Sequence, residues 1–452
     1  MTLAVKVVQA WRAAAKERLP ERVAHAARLH LLDAIGVGLA AAGSDVGQPY
    51  LRVAAQLAEG KASVFGRASG AGAADAALVN GGLIHSLEYD DTHTASIVHG
   101  SSVVAATTLA VAETTGASGA ALLGAYVRGW ELLVRMGLAA PGGFQARGFQ
   151  VTSVGGALAA ALVAAELQDL DEPASVAALG ISLSQAAGVL EFLSNGSSVK
   201  SLHPGWAAHA GVLAAMFARA GMTGPETSFE GSFGLFRQFA GSEGAATAFS
   251  AQLESFGKNW HLPDAAFKFY PCCHYLHPFI EAAGVLAERG VRADAAGRIL
   301  CRVPAGAAPV ICEPWSLKQA PQTPHAARWS LPIVVAARIA EGRVGLDTFE
   351  RPASRAVLEL ARRIEWEPLA GARFPERFEA EIVCGAHHIR IDDVFGNPSR
   401  PPGREDVFAK FLGNARRSLS GEAAEALARA LDAGASAAEL GAQLKRNAKR
   451  IS

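Results

Sequence analysis

Residues 81–102 constrain the fold of this chain more than any other segment, because they place many polar groups between apolar helices. The segment reads GGLIHSLEYDDTHTASIVHGSS and holds three acids and three histidines, in a chain of which only 19% is charged. Burying a polar group without a partner costs a few kcal/mol, so these side chains need partners or a polar cavity. The flanking runs, 73–79 and 103–111, are apolar and helical in character. The segment therefore predicts a lined pocket among packed helices.

Helical periodicity dominates the chain up to about residue 265. After Pro20, apolar residues recur at every fourth position from Val23 to Leu39, which predicts a helix with one apolar face. Further helices rich in alanine, leucine and valine are predicted over 119–136, 153–167, 173–189 and 209–220. No strand is expected in this part of the chain.

The pattern changes after Pro271. Residues 298–304 alternate in polarity like a strand, and 378–384 and 387–391, on either side of Gly385-Ala386, predict a β-hairpin. Residues 330–341 read as a helix between these strands. A proline- and glycine-rich break follows at 398–403, and helices return over 404–418 and 421–431.

These patterns predict a mainly α fold with two domains, since 452 residues are too many for one hydrophobic core. We expect a large all-helical domain formed by residues 1–267 and 402–452. A smaller α+β lid domain, residues 268–401, would be inserted into it. A pocket between two such domains is a usual place for a small-molecule site.

Charge and cysteine usage narrow the partners and the compartment. Lys+Arg and Asp+Glu are both 42, so the net charge is zero and nothing favours binding to nucleic acid or to a membrane. The five cysteines lack the spacing of a disulfide framework or a CxxC pair, which favours free thiols. The first residues lack the pattern of a signal peptide, and apolar runs such as 154–165 are too short to span a bilayer. We expect a soluble, cytoplasmic protein.

Four polar islands carry the residues suited to chemistry: 81–102, 147–153, 197–209 and 267–278. Together they supply lysines that bind carboxylates and histidines that transfer protons near neutral pH.

Each candidate also has a structural interpretation. Asp90, Asp91 and Thr92 have the side chains of a helix cap, and His99 fits a structural histidine equally well. Lys200 and Lys268, taken singly, resemble surface lysines, although both lie in apolar or hydroxyl-rich surroundings. Cys272 and Cys273 are more typical of small buried side chains than of nucleophiles.

No metal site or nucleotide site is predicted. His274 and His277 are three positions apart, and His203 and His209 are six apart; neither spacing matches HExxH, and no CxxC pair accompanies them. There is no Walker loop, and the glycine-rich run 66–72 lacks a strand–turn–helix context.

The polar islands resemble, in order and over nearly the whole chain, the motifs of the MmgE/PrpD family. That family includes 2-methylcitrate dehydratase, cis-aconitate decarboxylase and iminodisuccinate epimerase. The resemblance is carried by 87–92 with His99, by Lys200 with His203-Pro204-Gly205, by 268–273 with His277-Pro278, by 321–323 with 328–332, and by the hairpin before Pro398.

The resemblance implies a helical domain with an inserted α+β lid, a homodimer, and a cofactor-free site for a small carboxylate substrate between domain and lid. Glu88 and Thr92 fall where cis-aconitate decarboxylase has an Asp and a Thr in its pocket. His99, Lys200 and Lys268 fall on matching His and Lys positions.

Two positions depart from the decarboxylase. Gln150 and Cys273 stand where that enzyme has histidines. Glutamine does not transfer protons at neutral pH, and a thiol differs from an imidazole in pKa and geometry. The favoured function is therefore a hydro-lyase resembling 2-methylcitrate dehydratase. The alternatives are an isomerase or epimerase, a decarboxylase, and, last, a non-catalytic binding protein.

The reactions of the family share proton transfer at a carbon alpha to a carboxylate. We expect Lys200 and Lys268 to bind substrate carboxylates and His99 to act as general acid or base. Glu88, Asp90 or Asp91 would orient His99 or a bound hydroxyl.

The remaining site residues have supporting roles. Thr92 would hydrogen-bond the substrate, and Gln150 would help to bind it. The group that protonates a leaving hydroxyl stays open among His203, His277 and Cys273.

Overall fold

The structure is a computed structural model that describes residues 1–447. The chain divides into two units. The helical unit consists of Met1–Ser86, Asp90–Ala265 and residues 403–447, and the α+β unit consists of Leu87–Tyr89 and Ala266–Pro402. Helices hold 58% of the residues and strands 7%, so the chain is mainly α, as predicted. The assignment of Leu87–Tyr89 to the second unit was not anticipated.

The first part of the helical unit is a succession of apolar helices. Its α-helices are α1 Leu3–Ala15, α2 Glu21–Ala42, α3 Gln48–Ala54, α4 Ala73–His85, α5 Gly100–Thr115, α6 Gly119–Ala139, α7 Gly143–Ala146, α8 Val151–Leu167, α9 Glu172–Leu183, α10 Leu202–Arg219 and α11 Ala245–Leu253. Helix α8 is buried along almost its whole length and packs against α5, α6, α9 and α10. A helix that is apolar on all sides is typical of a domain core.

Helix α2 is the one helix within residues 1–447 that is long and apolar enough to cross a membrane. In this structure 83% of its most apolar 18-residue stretch is buried inside the protein. Core helices of globular proteins share this composition, so the hydropathy of α2 is weak evidence for a membrane span.

Helices α4 and α10 approach each other at two glycines. A Cβ atom on Gly205 would lie 2.3 Å from the carbonyl oxygen of Leu78, and one on Gly81 would lie 2.8 Å from the Cα of Gly205. Only hydrogen atoms fit there. The close approach brings the end of α4, at His85, and the start of α10, at His203, into one region of the helical unit.

Three expectations for this part of the chain were wrong. The helix predicted over 173–189 ends at Leu183. Three two-residue strands, β1 Glu59–Gly60, β2 Ala62–Ser63 and β3 Gly70–Ala71, form a small antiparallel sheet in the order β1-β3-β2. Strands of two residues are too short to show an alternating pattern. Helix α10 begins at Leu202 rather than at 209, because Pro204 is tolerated in the first turn of a helix.

The α+β unit contains one four-stranded sheet and five α-helices. They are α12 His277–Glu288, β4 Ile299–Val303, α13 Ala308–Ile311, α14 Trp315–Gln319, α15 Leu331–Ala340, α16 Arg355–Ala361, β5 Ile364–Pro368, β6 Ala380–Cys384 and β7 His387–Ile391. The strand order is β5-β4-β6-β7, with β4 and β5 parallel and the other pairs antiparallel. The predicted strand at 298–304, the hairpin and the helix at 330–341 are confirmed. Action of this unit as a lid stays a prediction.

The chain returns to the helical unit with α17 Arg404–Ala415, α18 Gly421–Asp432 and α19 Ala437–Asn447. Helix α17 packs against α2. Buried between these helices, the ammonium of Lys410 lies 2.7 Å from the carboxylate of Asp33. The two ends of the chain therefore share one core.

Candidate active site

The polar segment after α4 belongs mostly to the helical unit, where it forms a loop between α4 and α5. The carboxylate of Asp91 is almost wholly buried and accepts hydrogen bonds from Nδ1 of His30 (2.9 Å), from the backbone N–H of Ser101 (3.2 Å) and from the Ser101 hydroxyl. The backbone bond caps the first turn of α5. The structural interpretation of this segment as a helix cap is therefore correct for Asp91. Its carboxylate caps α5 and holds the loop in place.

Asp91 also orients His99, the residue before α5. Nδ1 of His99 lies 3.0 Å from the backbone oxygen of Asp91 and 3.0 Å from the hydroxyl of Thr92. A carbonyl oxygen only accepts, so Nδ1 carries the proton and the lone pair of the neutral ring is on Nε2. The backbone N–H of His99 donates to the hydroxyl of Thr152 (3.0 Å). Nε2 is therefore the atom that would accept a proton from a substrate.

A second histidine, His85, stands next to His99 and was not among the predicted site residues. The two rings have their centroids 4.9 Å apart and are tilted by 58°. Nδ1 of His85 lies 2.8 Å from the carboxylate of Asp90, and both side chains are fully buried. Its position in the sequence already indicated a site residue, because His85 is one of the three histidines of the polar 81–102 segment.

Gln150 links this pair to His203. Nδ1 of His203 donates to the amide oxygen of Gln150 (2.7 Å), and the amide nitrogen of Gln150 lies 3.5 Å from Nε2 of His85. Burial lowers the pKa of His203 to about 4, and the charges of His85 and Lys200 add to this effect. His203 is therefore neutral at physiological pH.

Lys200 is close enough to His203 to depress its pKa. It lies in the short 3-10 helix Ser198–Ser201, directly before α10, and is half-buried. The helical unit thus brings together seven predicted residues: Asp90, Asp91, Thr92, His99, Gln150, Lys200 and His203.

Glu88 and Lys268, by contrast, are together in the α+β unit. The ammonium of Lys268 lies 3.3 Å from the backbone oxygen of Glu88 and 4.0 Å from its carboxylate, and both side chains are buried. Glu88 has a φ of 53°, a left-handed conformation that is uncommon outside glycine. Such backbone strain persists only where the surroundings enforce it, and it is concentrated at functional sites.

Arg328 holds this strained segment in place and was also missed as a site residue. Its fully buried guanidinium donates to the backbone oxygens of Leu87 (2.7 Å) and Pro271 (2.6 Å). Burial lowers the pKa of Arg328 to about 10, and the charge of Glu88 opposes the effect. Arg328 remains charged at neutral pH.

The remaining two predicted residues, Cys273 and His277, also belong to the α+β unit. The backbone N–H of Cys273 donates to the oxygen of Arg328 (2.9 Å). The ring of His277, at the start of α12, contacts those of Tyr270 and His274, with centroids 5.1 and 4.7 Å away. Burial raises the pKa of the neighbouring Cys272 thiol well above its usual value, so that Cys272 is not a thiolate nucleophile.

Among the described residues, His85, Asp90 and His99 form the group suited to hold a metal ion. Each offers one ligand atom, and these atoms lie within 4.8 Å of one another. The prediction of a site without a resident metal is not tested by this geometry.

Each unit, taken by itself, holds groups suited to chemistry on an anionic substrate. The helical unit supplies two adjacent imidazoles with defined tautomers and one lysine. The α+β unit supplies a buried lysine beside a carboxylate. Histidines transfer protons near neutral pH, and lysines stabilise the negative charge that develops when a proton leaves carbon.

Comparison with known proteins identifies relatives over most of the chain. The MmgE/PrpD N-terminal domain matches residues 8–248, and the MmgE/PrpD C-terminal domain matches residues 270–433. A cis-aconitate decarboxylase-like protein of Aspergillus oryzae is 30% identical over 352 residues, which are 74% of this chain and 72% of that protein. The cis-aconitate decarboxylase of Homo sapiens is 30% identical over 379 residues, 78% of this chain and 74% of that protein. The cis-aconitate decarboxylase of Aspergillus terreus is 28% identical over 285 residues, which are 61% of this chain and 58% of that enzyme.

Proposed function

The chain belongs to the MmgE/PrpD family, and we propose that it is a lyase that acts on a small polycarboxylate without a cofactor. The observation that carries the proposal is the pair of imidazoles, His85 and His99, with ring centroids 4.9 Å apart and a defined acceptor at each Nδ1. The names of the relatives support a lyase of tricarboxylates.

The mechanism begins at a carbon alpha to a carboxylate. Its proton is weakly acidic, because the carboxylate stabilises the resulting enediolate poorly. In the proposed mechanism Lys200 binds a substrate carboxylate and lowers the energy of this enediolate, while Nε2 of His99 accepts the proton. Binding of a substrate carboxylate by Lys268, in the α+β unit, stays a separate prediction. The Asp91 carbonyl holds the ring of His99 in the required tautomer.

The finer proposal is a hydro-lyase, with a hydroxy-polycarboxylate such as 2-methylcitrate as substrate. Loss of water requires an acid for the leaving hydroxyl as well as a base for the proton. His85 is suited to be this acid, since the carboxylate of Asp90 at Nδ1 compensates the charge of its protonated ring. His203 is less suited, because its pKa of about 4 leaves it without a proton to give at neutral pH.

The second candidate is a decarboxylase of cis-aconitate, which the names of the relatives favour. In that reaction CO2 leaves first, and an imidazolium of the pair protonates the remaining carbanion. Both candidates use the same pair of histidines, and they differ in the bonds that break. The hydro-lyase breaks a C–H and a C–O bond, whereas the decarboxylase breaks a C–C bond.

Proton NMR in deuterated water separates these reactions. Purified, metal-stripped protein is incubated with 2-methylcitrate, citrate, cis-aconitate and iminodisuccinate, with the His99→Ala variant as control. A new alkene from a hydroxy acid supports the hydro-lyase, whereas CO2 and a five-carbon unsaturated dicarboxylate from cis-aconitate support the decarboxylase. Deuterium exchange at an alpha carbon without net loss of a group supports an isomerase. If folded protein leaves every compound unchanged, the proposed chemistry is wrong for these substrates.

We also propose a cytoplasmic homodimer. Five large apolar side chains between residues 189 and 206 are 38 to 60% exposed in the isolated chain: Val189, Leu193, Val199, Leu202 and Trp206. Large apolar side chains exposed at this density along one segment are a feature of protein interfaces. Light scattering after size exclusion tests the dimer, and a mass of 46.8 kDa in solution would contradict it.

The proposed cytoplasmic location is supported by the five free, buried cysteines, and cell fractionation tests it.

A further inference from the structure

One face of α6 packs against the start of α5 and the loop before it. Tyr126, Trp130 and Gly137 lie at positions i, i+4 and i+11 of α6 and therefore share a face. A Cβ atom on Gly137 would lie 2.7 Å from the Cβ of Ser96 in the loop. One on Gly100, the first residue of α5, would lie 2.2 Å from the indole of Trp130. The loop and the start of α5 are thus in close contact with α6.

The hydroxyl of Ser101, in the first turn of α5, has a partner for its proton and for each of its two lone pairs. Its proton goes to the carboxylate of Asp91, which only accepts when it is ionised. The indole N–H of Trp130 donates to the hydroxyl from 3.0 Å. The phenol oxygen of Tyr126 lies 2.5 Å away, and it donates its proton to the second lone pair. The Ser101 hydroxyl therefore has one orientation, towards Asp91.

Tyr126 is able to donate at any pH at which the protein is folded. Its side chain is fully buried, and burial raises the pKa of Tyr126 well above its usual value. The charge of Asp91 adds to this effect. The phenol consequently keeps its proton and holds the Ser101 hydroxyl in place.

The Asp91 carboxylate is in turn held from two sides. Nδ1 of His30, on α2, lies 2.9 Å from the oxygen that accepts the Ser101 hydroxyl, and the backbone N–H of Ser101 donates to the other oxygen (3.2 Å). These contacts fix the side chain of Asp91 and, with it, the peptide. The backbone oxygen of Asp91 accepts the Nδ1–H of His99 at 3.0 Å. Four hydrogen bonds in series thus lead from Tyr126 to the imidazole.

We propose that Ser101 and Tyr126 are positioning residues for His99, which they hold through Asp91. They keep the Asp91 peptide where its oxygen retains the proton of the neutral imidazole on Nδ1, so that the lone pair of the ring is on Nε2. Both side chains are fully buried, so neither would touch a substrate. The effect on the tautomer stands on the geometry alone. An effect on turnover rests on the proposed function as well, in which His99 is the base.

Nitrogen-15 NMR of the histidine side chains tests the tautomer without any substrate. Long-range proton–nitrogen spectra at mildly alkaline pH show which ring nitrogen carries the proton, and loss of signals in His99→Gln identifies those of His99. We expect the Nδ1–H tautomer in wild-type protein. Ser101→Ala and Tyr126→Phe should each populate the Nε2–H tautomer, because the Asp91 peptide is released, and the effect should be larger for Ser101→Ala.

Opposite results in these spectra would overturn the proposal. A wild-type His99 that carries its proton on Nε2 would do so outright. An unchanged Nδ1–H tautomer in either folded variant would remove the substituted residue from the positioning role. Tyr126→Phe deletes a single oxygen atom and is the decisive variant if Ser101→Ala does not fold, which circular dichroism shows.

Two variants of the same chemistry are matched controls. Ser182→Ala removes a fully buried hydroxyl that donates to a carbonyl of its own helix, α9, at 2.9 Å. Tyr275→Phe removes the phenol oxygen of a ring that packs against Phe374 and Phe378 in the α+β unit. Both should leave the tautomer of His99 and the activity unchanged. A control that changed the tautomer as much as its matched variant would contradict a specific path through Asp91.

Turnover is measured separately in the NMR assay with the carboxylic acids. Ser101→Ala and Tyr126→Phe should lower kcat by about 10- to 100-fold and change KM by less than about 3-fold, because a misplaced base impairs proton transfer more than binding. If both folded variants keep the wild-type kcat, their proposed effect on catalysis is wrong. If wild-type protein turns over none of the acids, the proposed function fails, and the tautomer spectra alone decide the positioning role.

Discussion

At the scale of single residues, the site depends on which partner each histidine has at Nδ1. Asp90 binds His85, the Asp91 carbonyl binds His99, and Gln150 binds His203. These partners define the tautomers and hence the atom that meets the substrate. Adjacent acids in the sequence, Asp90 and Asp91, thus hold different histidines and have different roles.

Replacing His99 by Ala should lower turnover by about 100-fold or more, because the proposed base is lost. The readout is kcat for the substrate identified by NMR, together with circular dichroism to show that the fold is intact. His209→Ala is the control, since His209 lies on α10 and contacts Asp75 at 3.7 Å, outside the proposed machinery. A kcat that is unchanged in folded His99→Ala protein would remove His99 from proton transfer.

His93 makes the stability of the fold sensitive to acid. Burial lowers the pKa of His93 to about 4 from an ordinary value of 6.5, and His261 adds to this effect. The unfolded chain therefore binds the proton more tightly than the folded chain, so stability is lost as the pH falls from about 6.5 towards 4. For this one residue the free energy of unfolding should be about 2 kcal/mol lower at pH 5 than at pH 7.

Urea unfolding at pH 5 and pH 7 measures this difference. His93→Gln should reduce the pH dependence of the unfolding free energy by about 2 kcal/mol. An unchanged dependence in the variant would show that His93 is not the group responsible. The other two histidines with a pKa of about 4, the buried His203 and the half-buried His261, keep their contribution in this variant.

At the scale of the elements, the crossing of α4 and α10 positions the imidazoles. The two helices meet at Gly81 and Gly205, and they carry His85 at the end of one and His203 at the start of the other. Close packing of helix backbones leaves no room for a Cβ atom at this crossing. The site is therefore sensitive to a change that touches none of its side chains.

Gly205→Ala should destabilise the protein by about 1–3 kcal/mol through overpacking, and it should lower activity by separating the two helices. Thermal and urea unfolding measure the first effect, and the NMR assay measures the second. Gly413→Ala on α17 is the matched control, because a Cβ there meets no atom within 4 Å. That substitution should stabilise by up to about 1 kcal/mol, since alanine favours a helix interior. If both variants lost the same amount of stability, close packing at the crossing of α4 and α10 would not be the cause of the loss.

At the scale of the whole molecule, buried polar contacts join distant parts of the chain. Lys410 on α17 pairs with Asp33 on α2, and both side chains are almost wholly buried. Burial raises the pKa of Asp33, and Lys410 is the main group that opposes the effect. The last helices are therefore held to the first by a charge pair as well as by apolar packing.

Lys410→Met should destabilise the helical unit by about 3–5 kcal/mol, because it leaves a buried carboxylate without its counter-ion. The Asp33→Asn, Lys410→Met double variant should recover part of this loss. Glu425→Gln is the control, since it breaks the half-exposed pair of Glu425 with Arg416 and should change stability by about 1 kcal/mol or less. Urea unfolding followed by far-ultraviolet circular dichroism gives all three values. If Lys410→Met and Glu425→Gln changed the unfolding free energy equally, the buried pair of Lys410 and Asp33 would not be what holds α17 to α2.

Periodicity in the sequence was sufficient for most of the elements. The apolar stripe from Val23 to Leu39 predicted α2, and alternation around Gly385-Ala386 predicted the β6–β7 hairpin. These features are local, because burial of one face leaves its period in the sequence of that element. The three two-residue strands and the start of α10 left no such period, and they were missed.

By itself, the sequence determined the mainly α class, the family and a set of polar residues that needed partners. Only the tertiary structure decided which partner each of these polar residues has and which unit it belongs to. It assigned Glu88 and Lys268 to the α+β unit, placed Asp91 on His30, 61 positions away, and set His85 beside His99. The physical reason is that helix and strand patterns record which face of an element is buried, whereas hydrogen bonds between distant residues depend on how the elements pack.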